Sequence, residues 1–362
     1  MRHYAIATIP GDGIGPDVVE VGIRVLETAQ EVHGGFRLRF DRFPWSCAYY
    51  VEHGRMMPED ALKILEQYDA IFLGAVGFPQ LVPDHVSLWG LLLPIRKAFE
   101  LYANVRPCKL LRGTRGPLRD KGPEDIDFVC IRENTEGEYS GVGGRVHVGT
   151  PAEVAIQTNV FTRYACERII RFAFEYAKRD GRKRVTSVTK SNAQQYSMVF
   201  WDEVFAAVSR DYPDIATDKG HVDAMAARFV RNPETLDVVV ASNLFADILT
   251  DLAGAIQGSL GLSPSANINP DRKVPSLFEP VHGSAPDIAG KGIANPIATV
   301  WAGAMMLDWL GEREAGRAVM DAIEAVTEAG RVLTPDLGGT ATTVEVGDAI
   351  CEALRARSEQ LR

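Results

Sequence analysis

The stretch "LDVVVASNLFADILTDLAG", residues 236–254, decides the fold. A short apolar, β-branched run passes directly into a segment whose apolar side chains recur at helical spacing, which predicts a strand followed by a helix. Similar apolar runs alternate with amphipathic segments elsewhere in the chain: "YAIATI", "FRLRF", "AIFLGAV", "DFVCIRE" and "RVTSVT". This alternation predicts an α/β protein with a largely parallel sheet.

Two aspartates, Asp247 and Asp251, lie four residues apart at the edge of the apolar stripe of that helix. Like charges at this spacing destabilise a helix by about 0.2–0.5 kcal/mol, so we expect a positive charge nearby. Two interpretations remain open. A lysine or arginine of another element is one, and a hard divalent cation such as Mg²⁺ or Mn²⁺ is the other.

Length and composition limit the class of protein. A chain of 362 residues favours two domains, and a net charge of -9 argues against a nucleic acid or an anionic membrane as the main partner. Five scattered cysteines without a C-x-x-C pair suit a reducing compartment. Because the sequence has no signal-peptide pattern and no apolar run of about 20 residues, we expect a cytoplasmic protein without a membrane span.

Two further segments carry structural signals. "GVGGRVHVGTPAEVAIQT", residues 141–158, consists of two short alternating runs around a Thr-Pro turn and predicts an antiparallel hairpin. "GDGIGP", residues 11–16, follows a strand, but its glycines have G-x-G-x-G spacing and Pro16 follows them. This spacing departs from the dinucleotide-binding G-x-G-x-x-G/A, so a plain turn and a phosphate site both remain open.

Several polar residues are candidates for chemistry. Arg96, Arg106 and Arg132 would each be an ordinary surface residue alone, but together they make a plausible carboxylate clamp. Lys190 follows a predicted strand, and Tyr139 follows the polar run "ENTEGE". Asp223 starts a helical pattern, where capping is the simpler role. "EPVHGSAPDIAGKGIANPIAT", residues 279–299, predicts a long functional or mobile loop suited to wrapping a cofactor.

Taken in order, "GDGIGP", "YANVRP", "IRENTEGEYSG", "TKSN", "NLFADILTDLAG" and "EPVHGSAPDIAGKGIANP" resemble the metal-dependent β-decarboxylating dehydrogenases of 2-hydroxy acids. This family comprises the isocitrate, isopropylmalate and tartrate/D-malate enzymes. The resemblance implies an isopropylmalate dehydrogenase-like two-domain fold with a large mixed, mostly parallel sheet and a hairpin clasp, which is not a Rossmann fold. It places the large, cofactor-binding domain at 1–101 and 258–362, and the central domain, with the dimer interface and an arm at about 140–158, at 102–257.

The resemblance also assigns roles to individual residues. It implies that the three arginines bind the substrate carboxylates, that Tyr139 and Lys190 form the acid/base pair, and that Asp223, Asp247 and Asp251 bind Mn²⁺ or Mg²⁺. Lys190 and Asp223 would act in the site of the partner subunit of a homodimer. NAD is the expected cofactor, and a monovalent cation such as K⁺ belongs to the same expectation. The implied cofactor-binding residues are His282, Gly283, Ser284, Ala285, Asp287, Asn295, Glu279 and Asn192.

The segment "LVPDHVSLWGLLLPIR" bears on the substrate. Trp89, Leu92 and Leu93 offer no polar partner for a third carboxylate, and "LWGLLLPIR" resembles the tartrate/D-malate branch of the family. The expected reaction is NAD-linked oxidation of tartrate or D-malate, with D-malate decarboxylated to pyruvate and CO₂. The alternatives are isopropylmalate oxidation, a non-catalytic regulatory subunit of the same family, and a metal-free Rossmann oxidoreductase that uses Asp41.

Overall fold

A computed structural model describes residues 1–361 of the chain and the side chains of residues 1–358. The strands are β1 (Arg2–Gly11), β2 (Phe36–Arg42), β3 (Ala70–Ala75), β4 (Ala103–Lys109), β5 (Asp127–Glu133), β6 (Gly137–Val146), β7 (Val154–Val160), β8 (Arg184–Thr189), β9 (Ala216–His221), β10 (Val238–Ala241), β11 (Pro264–Ile268) and β12 (Ser276–Pro280). The helices are α1 (Gly15–His33), α2 (Cys47–His53), α3 (Ala61–Leu65), α4 (Asp84–Gly90), α5 (Leu92–Ala98), α6 (Arg163–Arg179), α7 (Ser197–Ser209), α8 (Val222–Arg231), α9 (Asn243–Ile256), α10 (Ile297–Leu310), α11 (Arg313–Ala329) and α12 (Thr343–Leu361).

The chain divides into two compact units, here called unit 1 and unit 2. Unit 1 contains Met1–Leu101, Lys109–Ile126 and the segment that begins at Gly254, and unit 2 contains Tyr102–Cys108 and Asp127–Ala253. The domain boundaries expected at residues 101/102 and 257/258 stay a prediction. The assignment of cofactor binding to the outer segments stays a prediction as well.

In unit 1 the strands follow the order β2-β1-β3-β12-β11. All pairs in this series are parallel except β11 with β12, which makes the sheet mixed. Every residue of β3 is buried, as expected for an inner parallel strand covered on both faces. Helix α10 is likewise buried on nearly all sides, from Ile297 to Leu307, so it lies inside unit 1 and not on its surface.

In unit 2 the strands follow the order β4-β5-β10-β8-β9. The pairs β5–β10, β10–β8 and β8–β9 are parallel. Strand β10, "VVVA", is completely buried, whereas β9, "ATDKGH", has no buried residue because it lies at the edge of the sheet. The side chain of Thr162 caps α6 by accepting a hydrogen bond from the Ala165 N–H.

Strands β6 and β7 form a separate antiparallel hairpin. Its apolar side chains Val142, Val146, Val154 and Ile156 are exposed by 49%, 54%, 46% and 61%. The predicted α/β class, with a mixed, mostly parallel sheet and an antiparallel hairpin, is confirmed. In the part of the chain that the structure describes, no helix is long and apolar enough to cross a bilayer.

Candidate active site

The aspartate pair of α9 meets positive charge from two strands of unit 2. Arg132, in β5, forms an ion pair with Asp247, and the Nη1 atom of Arg106, in β4, lies 3.7 Å from the same carboxylate. Tyr139, in β6, donates a hydrogen bond of 2.9 Å from its hydroxyl to Asp247 Oδ2. Within this chain, arginines of two other elements therefore supply the positive charge that was expected near Asp247.

The two aspartates differ in their electrostatics. Burial would raise the pKa of Asp247, but the charges of Arg132 and Arg106 and the Tyr139 hydrogen bond lower this pKa below its ordinary value. Burial and then the negative charge of Asp247 raise the pKa of Asp251. The carboxylate of Asp251 makes no hydrogen bond to another described residue. The charges of Arg106 and Arg132 lower the pKa of Asp251 too, but they do not offset these two effects. Positive charge therefore compensates Asp247 more fully than Asp251.

The predicted clamp arginines are not surface residues. Arg96, Arg106 and Arg132 are exposed by only 5%, 6% and 2%. The Arg132 Nε atom donates to the side-chain oxygen of Asn243 at 2.9 Å, and Arg106 Nη1 donates to Thr250 Oγ1 at 2.5 Å. Because both of these acceptors belong to α9, one helix orients both guanidinium groups of unit 2.

Lys190 and Asp223 contact each other within the chain. Lys190 follows the end of β8 and Asp223 lies in the first turn of α8, and their Nζ and Oδ1 atoms are 2.8 Å apart. The hydrogen bond from Lys190 lowers the pKa of Asp223, whose side chain is 68% exposed. Asp223 does not cap the helix through its own side chain, because the capping position is His221.

Arg96 and Glu279 form an ion pair inside unit 1. Their closest atoms, Nη2 and Oε1, are 2.7 Å apart, and each side chain is 6% exposed. Asn267 Nδ2 also donates to Glu279 Oε1, at 2.8 Å. A predicted substrate-binding residue and a predicted cofactor-binding residue are therefore partners of each other in this structure.

The glycine-rich turn at residues 11–15 packs against the loop that begins at His282. The Ile14 N–H donates to the Ser284 carbonyl at 2.8 Å. A Cβ atom on Gly13, where φ is +58°, would lie 1.9 Å from that carbonyl oxygen, so only glycine fits there. Asp12 fixes the other side of the turn by accepting hydrogen bonds from the backbone N–H groups of Cys47 and Gly77 at 2.8 and 2.9 Å.

The remaining predicted cofactor residues occupy different environments. His282 Nδ1 lies 2.9 Å from the Gly283 carbonyl, and Asn295 Nδ2 donates to Asp336 at 2.9 Å. Burial lowers the pKa of His282. Gly283 and Asp287 are exposed, Ser284 is buried, and Ala285 has a φ of +41°. Asn192 is exposed in the turn after β8, in unit 2.

The predicted specificity residues separate into two classes. Leu92 and Leu93 are 8% and 3% exposed, and Leu92 belongs to a hydrophobic core cluster with Leu91 and Ile95. Trp89, in α4, is 43% exposed, and the Lys97 ammonium lies 4.4 Å from the centre of its ring. Trp89 is therefore the member of this set whose side chain is open to a ligand.

Comparison with known proteins decides the family. A sequence profile described as isocitrate/isopropylmalate dehydrogenase matches residues 5–350. The chain belongs to the isocitrate/isopropylmalate dehydrogenase family. The resemblance found in the sequence motifs is thereby confirmed.

Individual relatives of this family cover almost the whole chain. A probable tartrate dehydrogenase/decarboxylase of Bacillus subtilis strain 168 is 58% identical over 98% of this chain and 99% of its own length. The D-malate dehydrogenase (decarboxylating) of Escherichia coli K12 is 56% identical over 98% and 99%. Among solved structures, isocitrate dehydrogenase from Methylococcus capsulatus has a TM-score of 0.87 and 39% identity, covering 97% of this chain and 99% of that one.

The residues present suit a divalent metal only in part within one chain. Asp247 and Asp251 supply anionic oxygens one helical turn apart, and a cation would relieve the repulsion between Asp247 and Asp251. Among the described residues, however, no three His, Cys, Asp or Glu side chains come together as a metal site. Within one chain two carboxylates are thus available to a cation, and the assignment of Asp223 of a second copy as a third ligand stays a prediction.

The loop after β12 suits a cofactor. The Nε2 atom of His282 is buried and has no hydrogen-bond partner among the described residues, so it can accept or donate to a bound group. Among the described residues, no atom lies within 4 Å of a Cβ built on Gly283, which leaves that backbone open to close approach. The exposed carboxylate of Asp287 can accept hydrogen bonds from hydroxyl groups.

Sequence reasoning missed four residues that support the site: Asp12, Glu138, Asn243 and Asp336. Their roles depend on hydrogen bonds between distant segments, such as the one from Ser242 Oγ to Glu138 Oε1 at 2.9 Å. The signals were present in quoted motifs, since Asp12 lies in "GDGIGP" and Glu138 in "ENTEGEYSG". Spacing alone does not say which backbone groups such carboxylates bind.

Proposed function

We propose that this protein is an NAD-linked, metal-dependent dehydrogenase that oxidises tartrate or D-malate and decarboxylates D-malate to pyruvate and CO₂. The observation that carries this proposal is the identity of 53–58%, over 98% of the chain, with relatives named tartrate dehydrogenase/decarboxylase or D-malate dehydrogenase (decarboxylating). In unit 2, Tyr139 and Arg132 both contact Asp247. This cluster combines a proton donor, a carboxylate and a cation, which are groups that such a reaction needs.

Arg106 and Arg132 would bind a carboxylate of the substrate. Both guanidinium groups are buried and oriented by α9, so little conformational entropy is lost when a carboxylate binds to them. The arriving carboxylate competes with Asp247 for Arg132, because the two now form an ion pair. Engagement of Asp247 by a cation would release Arg132 for this purpose. The role of Arg96 in binding substrate stays a prediction.

Asp247 and Asp251, with Asp223 of a second copy, would hold Mn²⁺ or Mg²⁺. Such a cation, when bound, acts as a Lewis acid that polarises the oxygens of a 2-hydroxy acid and stabilises negative charge on them. Oxygen ligands are the donors that these hard cations prefer. The pairing of Asp223 with Lys190 in one chain supports the idea that the two residues act together.

Tyr139 and Lys190 would move the protons. Lys190 assists removal of the proton from the 2-hydroxyl group while the hydride leaves C2. Tyr139 holds its proton on Oη, directed at Asp247 Oδ2. After CO₂ has left the 2-keto acid, Tyr139 Oη is the group that would protonate the enolate carbon. Asp247 then orients the tyrosine hydroxyl as well as contributing negative charge.

Unit 1 would bind the cofactor through its loop 282–295. NAD, when bound, accepts the hydride from C2 of the substrate. The exposed Asp287 carboxylate would accept a hydrogen bond from a ribose 2′-hydroxyl and would repel a 2′-phosphate, which favours NAD over NADP. The role of Glu279 in this binding is less direct, because its carboxylate is buried against Arg96.

A panel assay tests the proposal. The purified protein is mixed with Mn²⁺ and either NAD⁺ or NADP⁺, and reduction of the cofactor is followed with D-malate, tartrate isomers, isopropylmalate and isocitrate. We expect turnover of D-malate and tartrate with NAD⁺, weak turnover of isopropylmalate, and almost none of isocitrate. A preference for isopropylmalate refutes the proposed substrate, and full activity in excess chelator refutes the metal.

A further inference from the structure

Two glutamates near the start of β6, Glu136 just before the strand and Glu138 within it, bind the starts of two different helices. Glu138 accepts a hydrogen bond of 2.9 Å from Ser242 Oγ and one of 3.1 Å from the Leu244 N–H, at the start of α9. Glu136 accepts bonds of 2.9 Å from Thr162 Oγ1 and 3.0 Å from the Thr162 N–H, at the start of α6. Each carboxylate therefore binds one hydroxyl and one backbone N–H at a helix N-terminus, a position that favours negative charge.

The bonds of Glu138 have a consequence that those of Glu136 lack. Glu138 directly precedes Tyr139, and the Tyr139 hydroxyl donates to Asp247, one turn further along α9. Strand β6 is thus attached to α9 at two successive points, first through Glu138 and then through Tyr139. Asn243, the first residue of α9, adds a bond of 3.0 Å to the Glu136 carbonyl.

The pairing of the hairpin is irregular around Tyr139. Pairing between β6 and β7 is regular from Val142 onward, but the register shifts between Gly137, which is opposite Val160, and Val142, which is opposite Thr158. Between these two pairs the chain advances by five residues in β6 but by only two in β7. Tyr139 lies in this irregular part. Side-chain bonds still connect this part of β6 to β7, from Ser140 Oγ to the Thr158 carbonyl at 2.8 Å and from Gln157 Nε2 to the Glu138 carbonyl at 3.4 Å. Because the ladder is irregular here, the bonds of Glu138 to Ser242 and Leu244 add the connection to α9 that the hairpin does not provide.

We propose that Glu138 is a positioning residue that fixes the Tyr139 hydroxyl beside Asp247. This inference rests on the proposed function for its catalytic meaning. A misplacement of about 1 Å in a proton donor can lower turnover by one to two orders of magnitude, so the anchor at Glu138 controls kcat. We expect a smaller effect on KM, because Arg106 is held by Thr250, further along α9 than the residues that Glu138 binds.

The test compares Glu138→Ala with Glu136→Ala, a matched control that loses the same two kinds of hydrogen bond at another helix. In Glu138→Ala we expect kcat for D-malate to fall about tenfold or more while KM changes less than about twofold. In Glu136→Ala both parameters should stay near their wild-type values. Glu138→Gln, which keeps one acceptor oxygen, should recover part of kcat.

A double-mutant cycle shows whether Glu138 acts through the tyrosine. In a Tyr139→Phe background, Glu138→Ala should cause no further loss of kcat, because the hydroxyl that it positions is already absent. Additive losses would overturn the proposal. So would equal losses of kcat in Glu138→Ala and Glu136→Ala, since that result indicates general damage to the fold.

A measurement without substrate separates this inference from the proposed function. With 3-fluorotyrosine incorporated and the signal of residue 139 assigned through Tyr139→Phe, the wild type and Glu136→Ala should share one sharp ¹⁹F resonance. Glu138→Ala should shift or broaden it. An unchanged resonance refutes the positioning. If the wild-type protein reduces NAD⁺ with none of the hydroxy acids, the proposed function and the catalytic role of Glu138 are refuted. The ¹⁹F result still decides whether Glu138 fixes the ring of Tyr139.

Discussion

Arg96 and Glu279 lie 2.7 Å apart with only 6% of each side chain exposed, although 183 residues separate them in the chain. A buried ion pair contributes little net stability compared with an apolar pair, but loss of one partner leaves an uncompensated charge in the interior. Burial of Arg96 therefore depends on the Glu279 carboxylate, independently of any role that either residue has in ligand binding.

Glu279→Ala should lower the free energy of unfolding by about 3–5 kcal/mol, because Arg96 then remains buried without its carboxylate. The measurement is urea denaturation of the purified protein. Glu59→Ala is the control, because its partner Arg55 and Glu59 itself are 48% and 87% exposed and the pair should contribute less than about 1 kcal/mol. Equal destabilisation by the two substitutions would contradict the prediction.

Asp247→Asn and Asp251→Asn should both weaken Mn²⁺ binding strongly and yet have different effects on the metal-free protein. Asp251→Asn removes a charge repelled by Asp247, so stability should stay constant or rise by a few tenths of a kcal/mol. Asp247→Asn deprives Arg132 and Arg106 of a charged partner and should lower stability. Calorimetric titration with Mn²⁺ and thermal unfolding in chelator measure the two effects. Unchanged Mn²⁺ affinity in both variants would eliminate these residues as ligands.

If Lys190 completes the site of a partner subunit, two variants that are each strongly impaired should complement each other. A heterodimer of Tyr139→Phe and Lys190→Ala chains has one site with both defects and one intact site. Random exchange of subunits should therefore restore about a quarter of wild-type turnover. The assay follows reduction of NAD⁺ after the variants have been mixed and allowed to exchange. Mixed dimers that are verified by mass spectrometry and are no more active than the separate variants would show that the sites are not shared.

Protonation of His282 should link stability to pH. Burial lowers the folded-state pKa below the ordinary value of 6.5, so the unfolded chain binds a proton first as the pH falls. Stability contributed by neutral His282 is complete above that value and is lost as the pH drops below it toward the folded-state pKa. His282→Gln should therefore lose less stability than the wild type between pH 7.5 and 5.5, measured by urea midpoints. His85→Gln, an exposed position on α4, should behave like the wild type, and identical pH dependence in all three proteins would contradict the prediction.

Trp89→Ala should raise the kcat/KM of isopropylmalate relative to that of D-malate, because removal of an indole opens space for an alkyl group. Steric rejection of this kind is commonly about 1–3 kcal/mol, which corresponds to a change of roughly 10- to 200-fold in the ratio. The exposed position of Trp89 allows this substitution without damage to the core, whereas Leu92→Ala would create a cavity. An unchanged ratio would remove Trp89 from the specificity residues.

Much of the fold followed from periodicity in the sequence. The buried strand β10, "VVVA", and the helix α9 behind it were predictable because a strand covered on both faces is a continuous apolar run. Strand β9, "ATDKGH", was not predicted, since an edge strand with exposed faces needs no apolar pattern. Strand β11 begins with Pro264, a residue that otherwise argues against a strand.

The candidate site was predictable in its residue types but not in its pairings. The helical period places Asp247 and Asp251 on one face, and the structure has them one turn apart on α9. The ion pair of Asp247 with Arg132 joins positions 115 apart, and no local pattern predicts such a contact. Leu92 shows the opposite problem: its place in an apolar run fits a pocket wall and a core equally well, and it packs in the core.

The close packing of Gly13 against the Ser284 carbonyl sets a rule for engineering. Exchange of the loop 282–295 with that of an NADP-dependent enzyme is a natural route to altered cofactor preference. The Ile14 N–H and Gly13 both contact the backbone of Ser284. A transplanted loop with a different backbone path at this position would therefore not fit against residues 11–15 of this chain. Residues 11–15 therefore have to be transferred in the same graft, although they are about 270 positions away in the chain.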